Sequence, residues 1–499
     1  MRSGASAPCI WYNVTRAGCP RSRETMEGLK SIFSSQVYPV RYPKWGRGML
    51  LLIACLLVTA LIPLLRELVI SFASRIYWLN NGMHKDDPLV DYLIGWAYAF
   101  IVWFGIYFWP VSKDHKGLLQ KFWILRCLVT LGLMLLYENF YSLDAFEYFN
   151  ESRYETFRWQ VSLSDNWSIL AYFAWWVNHN IVLGDSYHAM KVMFSLLGML
   201  GSYLLYLGIA KHMRGGTTWL FMLLQAVPSM LFWSSILGKD PVNFFAICLY
   251  GFGVLSLLAR KPGESLLGQL LAIVAGITVA FIVRPWTGQI LAFPLVIVGL
   301  MRIKNLPVRI VALAFVPYLL HDRLGRILAS YGVNDATDLL AMVNAVSRSW
   351  SRGGSGQAPP VFSNLGDLLY FAPLGMFTAL FRPLPGEILN PFGLLAGLEN
   401  LTMLFFVVWG FKKTFANWGL ISRSDRLVLL WVSCTILGWS FLYAFISYQN
   451  LGAAFRFRLQ IMPMLIVLAI FLNKKPLFQH SLRQDFRGQH DADQGRNKA

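Results

Sequence analysis

Apolar runs of about 18 residues or more recur along this chain, each long enough to cross the hydrocarbon core of a bilayer. Lipid offers no partners to backbone amides, so runs of this kind must satisfy their own hydrogen bonds as helices. That constraint predicts an all-α fold: a polytopic transmembrane helical bundle of about twelve spans, with interfacial helices and a long outside loop. Composition agrees. Of 499 residues, 56% are hydrophobic and only 14% are charged, which excludes an ordinary soluble enzyme.

The formal net charge is +18. Such a surplus can mark a nucleic-acid partner, but the basic residues sit in short loops and in the two tails, without a DNA- or RNA-binding motif. No nucleic-acid partner is expected, and the charge reads as cytoplasmic anchoring by the positive-inside rule. Lys211 and Arg214 follow the fourth run, Arg260 and Lys261 the sixth, and Arg302, Lys304 and Arg309 the eighth. Lys412, Lys413, Arg423 and Arg426 follow the tenth, and Lys474 and Lys475 close the twelfth. With twelve spans and both termini inside, every one of these clusters falls on one face.

The expectation is a multi-pass protein of the cell inner membrane, with cytoplasmic N- and C-termini and an active site on the periplasmic face. A basic cytoplasmic segment covers 1–48, a transmembrane domain 49–473, and a basic, polar cytoplasmic tail 474–499. The first three spans are read at about 49–73, 90–110 and 122–139, with Ser112–Lys121 as a linker between the second and third. Membrane lipids surround all of them.

The opposite face receives different material. Asp144, Glu147, Glu151 and Glu155 recur at spacings of three and four, so a helix here lines them along one side, with aromatic residues interleaved. Asp144 and Glu147 are candidate catalytic carboxylates at the membrane surface; the competing reading is an acidic outside loop. Trp167–Asn180 is too short and aromatic for a span and reads as an interfacial helix. The long loop at about 321–390 carries the Gly/Ser-rich stretch Ser347–Gln357, able to close over a ligand, and an amphipathic or re-entrant candidate at Leu368–Phe381.

Lys239, Asp240, Arg284, Arg456 and Arg458 stand at span ends on this same face, where positive charge is otherwise sparse. Cations beside carboxylates suggest an anion, and phosphate suits the bidentate fork of Arg and the point charge of Lys. Arg348 and Arg352 are placed to close from the long loop. Internal pairing, Lys239 with Asp240 or Arg284 with Glu147, is the alternative. There is no phosphate-cradling glycine loop and no dinucleotide fingerprint. Cys9, Cys19, Cys55, Cys127, Cys248 and Cys434 form no disulfide framework and lack metal-ligand spacing. No cofactor is expected, and no metal is indicated.

Three stretches carry a resemblance: L-D-A-F-E-Y at 143–148, P-S-M-L-F-W-S-S-I-L-G-K-D at 228–240, and N-L-G-A-A-F-R-F-R-L-Q-I-M-P at 450–463. With the layout of spans, the chain resembles the GT-C superfamily of membrane glycosyltransferases, of the kind found near bacterial polysaccharide clusters. In that family the acidic loop usually follows the first span, whereas two spans precede the one leading to it here. The resemblance implies a sugar donor carried on polyprenyl phosphate, a glycan or lipid acceptor, and Asp144 as the carboxylate at the reacting centre. An O-antigen-type polymerase or ligase would share these features. A lipid-linked saccharide transporter or flippase would need polar residues deep within the spans, and the runs read as mostly clean.

Overall fold

The computed structural model describes residues 66–141, 144–153, 166–180, 185–261, 263–303, 305–311, 332–351 and 356–474. The chain divides into two compact units, Met1–Ser71 and Phe72–Ala499. Of the first, residues 66–71 are described, and they are helical. The second is all-helical among its described residues, apart from an isolated antiparallel bridge between Gly356 and Asn450.

It begins with helical residues 72–83 (α1) and continues through Pro88–Gly105 (α2), Lys113–Leu128 (α3), a π-helical turn at Val129–Leu133, and Met134–Phe140 (α4). Next come the short helix Ala145–Ser152 (α5), Asn166–Asn180 (α6) and the long Tyr187–Met213 (α7). Thr218–Ala226 (α8) and Pro228–Trp233 (α9) are separated at Val227. Pro228 has no N–H to continue the ladder, so the chain restarts there. Lys239–Leu258 (α10), Leu267–Val283 (α11) and Pro285–Arg302 (α12) follow. The remainder comprises Ala336–Trp350 (α13), Leu365–Phe381 (α14), Pro391–Ala416 (α15), Arg423–Ser447 (α16), Leu451–Phe457 (α17) and Met462–Asn473 (α18).

Six helices among the described residues are long and apolar enough to cross a membrane: Pro88–Phe108, Lys113–Phe140, Tyr187–Met213, Lys239–Leu258, Pro391–Ala416 and Arg423–Ser447. The pair Leu451–Gln460 and Met462–Asn473, bent by 69°, makes a seventh if it is one broken span. Leu267–Val283, Pro285–Met301 and Leu365–Phe381 are shorter apolar helices. Large apolar side chains such as Leu271, Val274, Phe405 and Trp409 face outward, as a lipid solvent permits. These features make it a helical membrane protein.

Helix α10 is the centre of the packing, lying along both α7 and α11. Small residues allow the close approach. A Cβ on Gly276 would fall 2.7 Å from the Ala246 carbonyl oxygen and the Tyr250 nitrogen, and one on Gly208 only 2.9 Å from the Phe252 Cα.

The third span starts earlier than its apolar content suggests. The stretch Ser112–Lys121, expected as a linker, is helical from Lys113, because Ser112 caps the helix by accepting from the His115 N–H and Asp114 occupies the first turn. The aromatic stretch at 167–180 is helical, as expected, and buries Leu170, Ala171, Ala174 and Val177. The expected re-entrant candidate begins three residues sooner, at Leu365, where Asn364 and Asp367 form a capping box.

The spans are also less clean than their hydropathy implies. Lys191 meets Glu138 at 2.7 Å with both side chains fully buried, and the Tyr187 hydroxyl donates to the same carboxylate at 2.9 Å. Asp91 caps the start of α7, accepting from the Tyr187 and His188 amides. Each charge is tolerated because a neighbouring helix supplies its partner.

Candidate functional site

Helix ends build the site. Asp240 lies in the first turn of α10, where the unpaired amides and dipole of a helix N-terminus favour a carboxylate. It is 2% exposed and is clasped from two directions. Arg284, at the extended junction between α11 and α12, donates from Nη2 to Oδ1 at 2.9 Å. Arg456, in α17, donates from Nε to Oδ2 at 2.6 Å. Three elements far apart in sequence are thus tied at one carboxylate. Aromatic faces support both guanidinium groups: Arg284 lies over Phe457 at 5.5 Å and Arg456 over Trp233 at 5.6 Å.

The acidic stretch approaches from α5. Asp144 precedes its first turn and is exposed, while Tyr148, one turn on and on the same side, is buried. The Tyr148 ring packs toward Gly238, with a ring carbon 4.0 Å from where a Cβ would stand, which seats α5 on the start of α10. Burial first, and then the charges of Asp144 and Asp240, push the Tyr148 phenol far above its ordinary range, so it stays a protonated donor at neutral pH. The Asp144 charge also acts on Arg456, which places that carboxylate within electrostatic reach of the arginine–aspartate triad. Glu147 and Glu151 are exposed on the same short helix, and Glu155 lies outside the described residues.

Lys239 is half-buried beside Asp240 and its charge acts on it. Counting Lys239, Arg284 and Arg456 against Asp240 and Asp144, the cluster keeps one surplus positive charge, which suits an anionic ligand.

The other expected anion ligands fall elsewhere. Arg458, two residues beyond Arg456, turns away and is 1% exposed. It donates to the carbonyls of Leu380 at 3.1 Å and Arg382 at 2.9 Å and to the Asn400 side chain, holding α14 and α15 to the bend before α18. Arg348 is exposed on the last turn of α13, and Arg352 lies outside the described residues. The Gly/Ser-rich stretch is anchored at its ends: Gln449 donates to the Ser347 hydroxyl, and the Gln357 N–H donates to the Gln449 carbonyl at 2.7 Å. Close by, Arg382 pairs with Glu387; burial opposes ionisation there, but Arg382 and the Leu384 amide hold the Glu387 carboxyl below its usual range.

An apolar cavity of about 570 Å³ adjoins the cluster. Leu125, Val129, Leu133, Tyr137, Trp233 and Phe455 are among its walls. Trp233 is shared: one part lines the cavity while Arg456 lies over its ring. The sequence motif P-S-M-L-F-W therefore supplies a cavity wall, and its Ser229 is tied to α15 by Glu399, which accepts from the Ser229 amide at 2.8 Å and from its hydroxyl. Tyr137 escaped the sequence reading, and Tyr148 and Trp233 entered it only as letters of the quoted stretches, with no role assigned. Their signal was that membership, together with the position of Tyr148 four residues after Asp144. Among the described residues no cluster of three or more His, Cys, Asp or Glu side chains could hold a metal ion.

Comparison with known proteins finds no match to a protein family, a curated protein or a solved structure.

Proposed function

We propose that this chain is a GT-C-type membrane glycosyltransferase that moves a sugar from a polyprenyl-phosphate carrier to a glycan or lipid acceptor at the outer face of the inner membrane. One observation carries the reading: an apolar cavity of lipid-binding size shares Trp233 with a cationic cluster that faces an exposed carboxylate. An isoprenoid phosphate has the same arrangement, an apolar tail joined to an anionic head.

On this reading Arg456 and Lys239 receive the phosphate, and Arg284 holds Asp240 so that Arg456 stays oriented. Asp144 takes the proton from the acceptor hydroxyl as its oxygen attacks the anomeric carbon. The bond from that carbon to the phosphate oxygen breaks, and the cations stabilise the departing phosphate. Incubating the purified protein with labelled polyprenyl-phosphate sugars and a lipid-extract acceptor tests the reaction. Transfer of label that is lost in Arg456→Ala supports it; no transfer from any such donor sinks it.

The twelve-span arrangement with both termini inside belongs to the same proposal and rests on the alternation of basic loops. In an otherwise cysteine-free protein, Glu151→Cys and Val361→Cys should react with an impermeant thiol reagent added outside intact cells, and Asn417→Cys should not. Labelling of Asn417→Cys inverts the topology.

The buried Glu138–Lys191 pair gives a saccharide transporter more support than the hydropathy did. Movement of lipid-linked sugar across vesicles without transfer would favour it.

A further inference from the structure

Arg126 lies midway along the span Lys113–Phe140 and is 1% exposed. A guanidinium in that position is costly unless a counter-charge or a full set of acceptors receives it. Other charged groups of the bundle meet the demand. Glu138 has Lys191, Asp240 has two arginines, and Asp425 has Lys474. Arg458 has two backbone carbonyls and Asn400, with Glu399 close enough to act on it.

Arg126 is different. Among the described residues no carboxylate pairs with it. Its Nη1 donates to Ser234 Oγ at 2.7 Å, with contacts of 3.5 Å to the Ser234 carbonyl and to Ser235 Oγ, and its Nη2 meets no protein acceptor.

Hydroxyls surround it, and most of their protons are committed. Ser234 donates to the Met230 carbonyl and Ser235 to the Leu231 carbonyl at 2.6 Å. Thr130 has the Arg126 carbonyl at 2.8 Å and Ser195 Oγ at 2.9 Å. Ser195 itself has Ser235 Oγ as a contact at 3.5 Å. Thr130 has one proton for its two acceptors; when it goes to Ser195, the Ser195 hydroxyl keeps only the 3.5 Å contact. The donors that can turn to a ligand are then the Nη2 N–H groups and the Ser195 hydroxyl, beside one unneutralised positive charge. A surplus of donors together with a surplus of charge calls for an anion.

The surroundings limit its size. Arg126 is sealed from solvent, and a Cβ on Gly198 would collide with both its Nη1 and Ser234 Oγ, so close packing favours a small ion over a bulky phosphate ester. We infer that Arg126, with Ser195, forms a binding site for a small monovalent anion of the halide class inside the bundle. The ion neutralises the guanidinium without a carboxylate. Ser234 and Ser235 lie just before Lys239 and Asp240, so its occupancy also steadies the segment leading into the candidate site. The inference does not depend on the glycosyltransferase reading.

Thermal unfolding of the purified protein in detergent, titrated with chloride against gluconate at constant ionic strength, tests this, alongside retention of radiolabelled chloride. The wild type should bind about one chloride per chain, matching the single charge to be neutralised. Its unfolding midpoint should rise saturably with chloride, and bromide should substitute. Arg126→Gln should lose both binding and chloride dependence, and Ser195→Ala should weaken binding several-fold. Wild-type protein that retains no chloride overturns the proposal, as does an Arg126→Gln variant that binds like wild type. If Arg126 variants do not fold, unchanged binding in Ser195→Ala overturns it instead.

Discussion

Asp144→Asn should lower sugar transfer by about 10²–10⁴-fold, the usual scale for loss of a general base. The substitution keeps the size of the side chain and removes the lone pair that would accept the acceptor's proton. The effect should appear in the rate and not in donor affinity, because a base acts in the transition state and the phosphate ligands are untouched. Asp144 is preferred to its neighbours for its electrostatic reach. It is exposed for contact with an acceptor, and its charge reaches both Tyr148 and Arg456. Glu147→Gln and Glu151→Gln are the controls and should leave transfer nearly unchanged. Steady-state rates and lipid-phosphate binding measured on all three variants check the assignment. A full rate in Asp144→Asn with a collapse in Glu147→Gln moves the base about one turn along the helix; unchanged rates in all three reduce the stretch to an acidic loop.

Asp240→Asn should destabilise the fold by about 3 kcal/mol, within the range for removing one partner of a buried ion pair. The carboxylate is shared by Arg284 and Arg456, so its loss leaves two cations facing each other in a poorly solvated place. The low end of that range applies because the Arg456 side chain is 26% exposed and water screens part of the repulsion. Removing one of the stranded cations should recover part of the loss, so Asp240→Asn with Arg284→Met should unfold at a higher temperature than Asp240→Asn alone. Thermal unfolding in detergent measures both. A single variant as stable as wild type would show that the triad is not what ties α10, α12 and α17 together.

Much of the fold was legible in the chain. The helical class follows from apolar runs, since no other structure satisfies a backbone in lipid. Of the about twelve spans expected, six helices of spanning length stand among the described residues, and most of the first, at 49–73, lies outside them. Helix starts were less visible, because Ser112 and Asn364 extend their helices through capping bonds that hydropathy does not register. Arg126, Glu138 and Lys191 were present in the runs but were diluted by their apolar neighbours, and pairing across helices is invisible to a window that slides along one.

The site divides the same way. The sequence by itself determined a helical membrane protein, with carboxylates at 144–155 and cations at span ends, because charge is excluded from lipid-facing helix interiors and collects at their termini. Only the tertiary structure decided which charges meet. Asp240 pairs with residues 44 and 216 positions further along the chain, a choice made by helix packing. Arg456 and Arg458 look equivalent in sequence, yet two steps along a helix turn one toward Asp240 and the other toward the carbonyls of Leu380 and Arg382. The shared Trp233, which joins an apolar cavity to the cationic cluster, likewise exists only once α9, α15 and α17 are packed together.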